Sequence, residues 1–394
     1  MAMKALDEKL VTIFTSSENI ALLHYIDTIA SYGTRTLENI VQVLIKPDSY
    51  TVEDISTNRE DKTYSSIDYK DVHGQELGKR AMIIVATGLH HVMMTGPPGA
   101  GKTMLAERLP TILPDMSWDE RLETTRIHDV AGLLEKNTLI SRRPFRGPHH
   151  TATLASIIGG GSNAKPGEIT LAHNGVLFID EAPEFPRFIL DALRQPLESH
   201  TITVNRLQNS YEYPAKFICV LAANPCPCGY YGDPHKECVC SSTELMKYQN
   251  KISGPILDRI DLYISVERPS FNDMLLTNED SLSSSDMKDL VERGRNIQLE
   301  RFKDCTFKTN GSMPHRAIRE LCNIQDDCWN LLSDVYERFH FTGRSFDRLL
   351  KVSRTIADMD GSLYVEKKHI SEAMLYRHTP FHVSRIGDHD GTTV

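Results

Sequence analysis

Eight consecutive residues, Gly96-Pro97-Pro98-Gly99-Ala100-Gly101-Lys102-Thr103, have the types and spacing to hold a triphosphate. In the pattern G-x-x-x-x-G-K-[ST], glycines let backbone N–H groups curl around phosphate oxygens, and a following helix N-terminus adds partial positive charge. Lys102 is placed to reach the β- and γ-phosphates, and the Thr103 hydroxyl to ligate Mg²⁺. A second run, Gly175-Val-Leu-Phe-Ile-Asp-Glu181, is an apolar strand ending in two carboxylates. At the C-terminal edge of a parallel sheet, Asp180 can hold Mg²⁺ and Glu181 can polarise an attacking water. A third run, Lys216 to Asn224, ends in an amide able to orient that water. ATP and Mg²⁺ are the cofactors this set expects.

Four cysteines follow at once as C-x-C-x₉-C-x-C: Cys226, Cys228, Cys238 and Cys240. Four thiolates on one loop suit a tetrahedral, structural zinc, since four cysteines leave no open coordination position. Reduced surface thiols are the alternative, and His235 is a possible substitute ligand. Cys219, Cys305, Cys322 and Cys328 are scattered and read as inert thiols. Arg259, between Asp258 and Asp261, is either a local salt-bridge residue or a finger that completes a neighbouring subunit's site.

The elements that would position these groups alternate between strand and helix. Residues 91–95 form the strand before the phosphate loop, Met104–Leu109 starts the helix after it, and Glu76–Leu89 is a helix before it. Phe188–Leu197 reads as helix, and His200–Asn205 with Ser210–Tyr213 as a β-hairpin tipped by Arg206-Leu-Gln-Asn209. Residues 1–47 read as helices: one over Ile20–Ala30 stopped near Gly33, another from Thr36 to Lys46. The expected order is a short helical segment (1–47), a polar linker (48–66), an α/β core (67–268), a second linker (269–286), a helical lid (287–378) and a flexible tail (379–394). Arg142–His150 is basic and aromatic and reads as a long loop.

The 394 residues have room for two or three domains, and 40% hydrophobic with 25% charged residues is ordinary for a globular protein. No stretch approaches the ~18 apolar residues of a membrane span, so no membrane role and a cytoplasmic location are expected. A formal charge of −9 gives no whole-chain argument for nucleic acid.

Taken in order, GPPGAGKTMLAERLP, RPFRGPHHTAT, GVLFIDEAPEF, ANPCPCGYYGD, SGPILDRIDL and FDRLLKVSRTIADMDG resemble the magnesium-chelatase-like AAA+ ATPases, within them the ComM/YifB group, over residues 66–378. The resemblance implies an αβα P-loop core with a helical lid, assembled into rings, usually hexamers. It places Walker A on Gly96–Thr103 and Walker B on Asp180 and Glu181. Sensor 1 falls on Asn224, the arginine finger on Arg259, and sensor 2 on Arg344 with Arg348 as alternative. Val72, Gly74 and Gln75 become the adenine-side element.

It also implies an ATP-driven motor that moves along single-stranded or branched DNA, a branch-migration helicase, working with a recombination or other partner protein. Arg143, Arg146, His149 and His150 would then line a pore or contact DNA, as would Arg206 at the hairpin tip. The alternative output is protein remodelling, as by the chelatase motor subunit. A transcription activator is disfavoured by the absence of a GAFTGA loop, and a non-catalytic zinc scaffold is the residual class. Full-length members carry a larger N-terminal domain resembling the Lon protease/ribosomal S5 fold. Here that domain is expected to be shortened, with residues 31–46 as its end.

Overall fold

The computed structural model describes residues 10–16, 30–46, 67–134, 138–160, 164–205, 210–271 and 281–377. Five of its strands form one parallel sheet: Val92–Thr95 (β1), Phe145–Arg146 (β2), Val176–Ile179 (β3), Ile218–Ala223 (β4) and Leu262–Ser265 (β5). Their order is β5-β1-β4-β3-β2. Every residue of β1, β3 and β4 is buried, as continuous apolar runs must be when both faces of a parallel sheet are covered. Alternation sends Val92, Met94, Val176, Phe178, Val220 and Ala222 to one core and Met93, Leu177, Ile179, Cys219 and Leu221 to the other.

The first core is covered by helices Glu76–Gly88 (α1) and Lys102–Ile112 (α2), through residues such as Ile84, Leu105 and Leu109. The second is covered by Arg187–Ala192 and Arg194–Ser199, through Ile189, Leu190 and Leu197. The single helix expected over Phe188–Leu197 is thus two short ones, with Leu193 between them. This is the αβα P-loop core that the sequence predicts.

A helical part follows: Ser284–Arg301 (α3), His315–Leu321 (α4), Cys328–Arg338 (α5), Gly343–Met359 (α6) and Lys367–Leu375 (α7). Helix α3 begins three residues earlier than the expected lid, because Ser283 and Asp286 form a capping box. It lies against α1 at Gly294, where a Cβ would come within 2.6 Å of Thr87, and Gln298 donates to the Thr87 carbonyl at 3.1 Å. Inside these helices Arg354 is fully buried. It donates to Asp358 at 3.0 Å and to the carbonyls of Cys322 and Leu363. Arg301 and Asn310 also bond Asp358. The chain then returns to the sheet: Tyr263 N on β5 donates to the Tyr376 carbonyl at 2.7 Å, and Arg377 donates to the carbonyls of Ile260 and Asp261.

By compactness, residues 67–120 with 142–394 form one unit and residues 1–66 with 121–141 another. In the second, Thr12–Ser16 and Ala30–Thr34 pair as parallel strands, with Phe14 stacked on Tyr32 at 5.5 Å. The helix Leu37–Ile45, capped by Thr36, follows. The all-helical expectation for 1–47 is therefore corrected: Thr12–Ser16 and Ala30–Thr34, with Gly33, are strands, and among the described residues of this segment the helix is Leu37–Ile45. Most of the proposed first helix, residues 48–66, the hairpin tip with Arg206, the centre of the 269–286 linker and the tail 379–394 lie outside the described residues. Among the described residues, no helix is long and apolar enough to cross a membrane.

Candidate nucleotide site

The phosphate loop leaves β1 at Thr95 and enters α2 at Lys102. Gly96 is required sterically, since a Cβ there would sit 2.0 Å from the Val266 carbonyl oxygen. Gly99 and Gly101 adopt φ +77° and +94°, with open space where a side chain would project. That open cradle is what a phosphate group fills. Lys102 donates to the carbonyls of Gly96 at 2.7 Å and Pro97 at 3.0 Å, and to Asn224 Oδ1 at 3.1 Å. Burial lowers the Lys102 pKa, partly offset by Asp180 and Glu181.

Asp180 follows β3, and its Oδ2 accepts from the Thr103 hydroxyl at 3.1 Å. Two oxygens so paired fit a shared Mg²⁺. Glu181 N–H donates to the other Asp180 oxygen at 2.9 Å, and Glu181 holds a left-handed backbone, φ 49°. That conformation is uncommon for a non-glycine residue and turns its side chain out of the strand direction. Asn224 directly follows β4. Lys102, Thr103, Asp180, Glu181 and Asn224 thus gather at the C-terminal ends of β1, β3 and β4. On the flank, Gln75 Nε2 donates to the Ala100 carbonyl at 3.2 Å and to the Glu267 carbonyl, from a turn in which Gly74 also has positive φ. Val72, three residues earlier, is buried beneath it.

Arg259 and Arg344 are not brought to this cluster. Arg348 bonds Asp261 and the Asp258 carbonyl, and Asp261 accepts from the backbone N–H of His91, just before β1 begins. These groups stand at the N-terminal ends of the strands, a whole strand length (~13 Å for four residues) from the chain's own phosphate loop. There Arg259 pairs with Glu198 and donates to the Pro255 carbonyl, and Arg344 lies 3.9 Å from the same Glu198. Hydrogen bonding from Arg259 lowers the Glu198 pKa, with Arg344 and Arg348 adding to it. Arg259 does not pair with its sequence neighbours Asp258 and Asp261; Arg348 takes both. A cavity of about 520 Å³ opens at the same edge, lined by His91, His200, Lys216, Arg348 and Lys351 among others.

The basic segment is used differently from the loop expected of it. Arg143 donates to the carbonyls of Pro114 at 2.6 Å and Asn174 at 2.8 Å and pairs with Glu120. Arg146 lies in β2 and grips both oxygens of Glu168, at 2.6 and 2.7 Å. Both guanidiniums are bonded to groups of the fold at the sheet edge. The His149 and His150 rings meet tilted by 35°, their centroids 4.0 Å apart, and His150 Nδ1 lies 3.7 Å from Glu181 Oε2. That link to the carboxylate expected to activate water was missed in the sequence, where the only signal is that the pair follows a strand.

The four cysteine sulfurs of residues 226–240 lie within 4.8 Å of one another. Cys226–Cys228, Cys228–Cys238 and Cys226–Cys238 are 3.3, 3.6 and 3.7 Å apart. Zinc–thiolate bonds of about 2.3 Å in a tetrahedron put sulfurs about 3.8 Å apart, so the set fits zinc. Desolvation raises the Cys228 thiol, but the N–H groups of Tyr230 and Val239 and the neighbouring thiols outweigh it and bring it down to about 6. By contrast, burial pushes Cys219 and Cys322 up to about 12, as inert thiols require.

Comparison with known proteins agrees with this geometry. Residues 68–274 match the family "Magnesium chelatase, subunit ChlI", and residues 281–377 match its C-terminal part. The chain belongs to this family. It is 39% identical to the competence protein ComM of Haemophilus influenzae over 355 residues, 88% of this chain and 68% of that one. It is 42% identical to the YifB protein of Escherichia coli over 79% of this chain and 60% of that one. A magnesium-chelatase 38 kDa subunit of Rhodobacter capsulatus is 27% identical over 42% of this chain. Against the first two, the chain spans about two thirds of the relative's length.

Proposed function

We propose that the chain hydrolyses ATP as a subunit of a ring, and that the ring is a DNA-translocating motor of the branch-migration kind. One observation carries the ATP reading: Lys102, Thr103, Asp180, Glu181 and Asn224 converge at one sheet edge beside an open glycine cradle. In this reading Lys102 exchanges the carbonyls of Gly96 and Pro97 for phosphate oxygens. Thr103 and Asp180 would hold Mg²⁺, which when bound neutralises charge on those oxygens. Glu181 takes the proton of the attacking water, Asn224 orients that water, and Gln75 borders the base. Arg259 and Arg344 stand at the opposite edge, so they complete a site only when a second copy brings its phosphate loop against them. Arg344, the more exposed and less bonded of the two lid arginines, is the better sensor; Arg348 is committed to Asp261.

The DNA output is supported by likeness to a relative named a competence protein. A protein-remodelling output is favoured by a different observation: Arg143 and Arg146, the basic groups expected to meet phosphates, are bonded inside the fold. ATP turnover with and without single-stranded and branched DNA, in wild type and Glu181→Gln, separates the two. Stimulation by DNA that disappears in the variant supports the motor on DNA. Turnover indifferent to DNA supports protein remodelling, and unchanged turnover in Glu181→Gln rejects the base assignment.

A further inference from the structure

We propose that the four-cysteine loop, closed on one zinc ion, is a clamp on the phosphate loop, so that metal occupancy sets nucleotide affinity. The inference rests on the ATP reading above. The loop touches the phosphate loop directly: Gly229 adopts φ +86°, and a Cβ there would lie 2.7 and 2.9 Å from Cδ and Cγ of Pro98. It is also tied to the site through the chain, since only Pro225 separates Asn224, the acceptor of Lys102, from Cys226. On its other flank the Tyr230 ring meets two cations, Lys236 at 3.9 Å and Arg268 at 5.5 Å. Glu267, beside Arg268, accepts from Gln75, which in turn holds the Ala100 carbonyl. Pro98 and Ala100, on either side of Gly99, therefore both answer to this loop.

Nothing apolar holds the loop closed. Between Tyr231 and Cys240 no residue is buried, and the segment has neither helix nor strand. Its centre is the sulfur cluster, with the buried Cys226 Sγ accepting from Tyr231 N–H at 3.3 Å. A segment without a core folds when a cross-link or metal closes it. Removing the ion releases the Gly229–Pro98 contact and with it the register of the glycine cradle.

The test uses the full purified chain, with zinc counted per chain and Kd measured for ATP with Mg²⁺. The clamp predicts one zinc per chain, at least tenfold weaker ATP binding in Cys238→Ser/Cys240→Ser, and the same loss after chelation, reversed by zinc alone. It also predicts that Gly229→Ala keeps its zinc yet binds ATP at least tenfold more weakly. Wild-type chain without zinc, or zinc-free chain with wild-type Kd, overturns the clamp. If the cysteine variant loses its far-ultraviolet circular dichroism, Gly229→Ala decides: zinc-loaded with unchanged Kd, it overturns the proposal. Zinc-loaded wild type that binds no ATP at all would instead overturn the nucleotide reading.

Discussion

Arg259 is hydrogen-bonded to Glu198 at the edge of the sheet opposite the chain's own phosphate loop. In the finger role proposed for it, Arg259 would act on another copy. Arg259→Ala is expected to lower kcat by about a thousandfold while leaving ATP binding intact. Lys102→Ala should be inactive for a different reason. Mixing the two inactive proteins should recover activity, because some contacts then join an intact phosphate loop to an intact Arg259. No recovery in steady-state assays of the mixture would place Arg259 outside catalysis.

The position of His150 3.7 Å from Glu181 gives a second expectation. His150→Ala should reduce kcat by roughly tenfold with KM little changed, since it lies beside the carboxylate proposed to activate water and not beside the phosphate loop. His150→Gln, which keeps a donor, should recover most of that loss. An equal fall in kcat for both variants would remove hydrogen bonding from the explanation.

Asp261 shows what the neighbouring charges do for stability. Burial alone would raise its carboxyl, but Arg348 and the two histidines beside it hold it well below the usual carboxylate range. Its folded pKa is therefore below the unfolded value of about 3.9, so its stabilisation is complete above about pH 5 and is lost as pH falls through the folded value. Arg348→Leu leaves the carboxylate buried without its cation and should cost about 3 kcal/mol at pH 7. In denaturant titrations the gap between wild type and variant should narrow as pH falls, because the variant's Asp261, buried without its cation, takes up its proton at a higher pH than the wild type's.

In the helical part, Asp358 is shared by Arg354, Arg301 and Asn310. Asp358→Ala strands a fully buried guanidinium and should destabilise this part by about 3–5 kcal/mol. Replacing Arg354 by Met and Asp358 by Leu together should cost less than Asp358→Ala alone. Melting curves of the three variants decide whether the network acts as a pair of opposite charges.

If the chain binds DNA, Arg146 is expected to add little as a phosphate contact, because Glu168 takes its Nε and one Nη donor. Arg146→Gln should leave the slope of log affinity against log salt unchanged, where loss of one phosphate contact would reduce it by about 0.9. Its thermal midpoint should fall slightly, as the β2 edge loses its grip.

The nucleotide site was legible because its chemistry is local. Lys102 and Thr103 belong to the glycine loop that positions them, and Asp180 and Asn224 each end a strand whose apolar run is visible in the chain. The pairings of Arg143 and Arg146 were not legible, because their partners Glu120 and Glu168 are 23 and 22 residues away, a distance at which sequence gives no pairing. Arg344 could be assigned a lid role but not a location, since its edge of the sheet depends on how α6 packs. Thr12–Ser16 and Ala30–Thr34 are too short to separate strand from helix by periodicity, and their pairing with one another settles it.

The hydrogen bonds from Tyr263 to Tyr376 and from Arg377 to Ile260 and Asp261 fasten the last helical residues to the outermost strand. Together with the contact of α3 on α1, they anchor the helical part at both ends, like a plank nailed twice. So tied, it is held to the core at two places rather than hung from it by a single hinge. If ATP drives a ring of such chains, as proposed, this double tie would let a change at the nucleotide pass to the neighbouring copy through core and helices together.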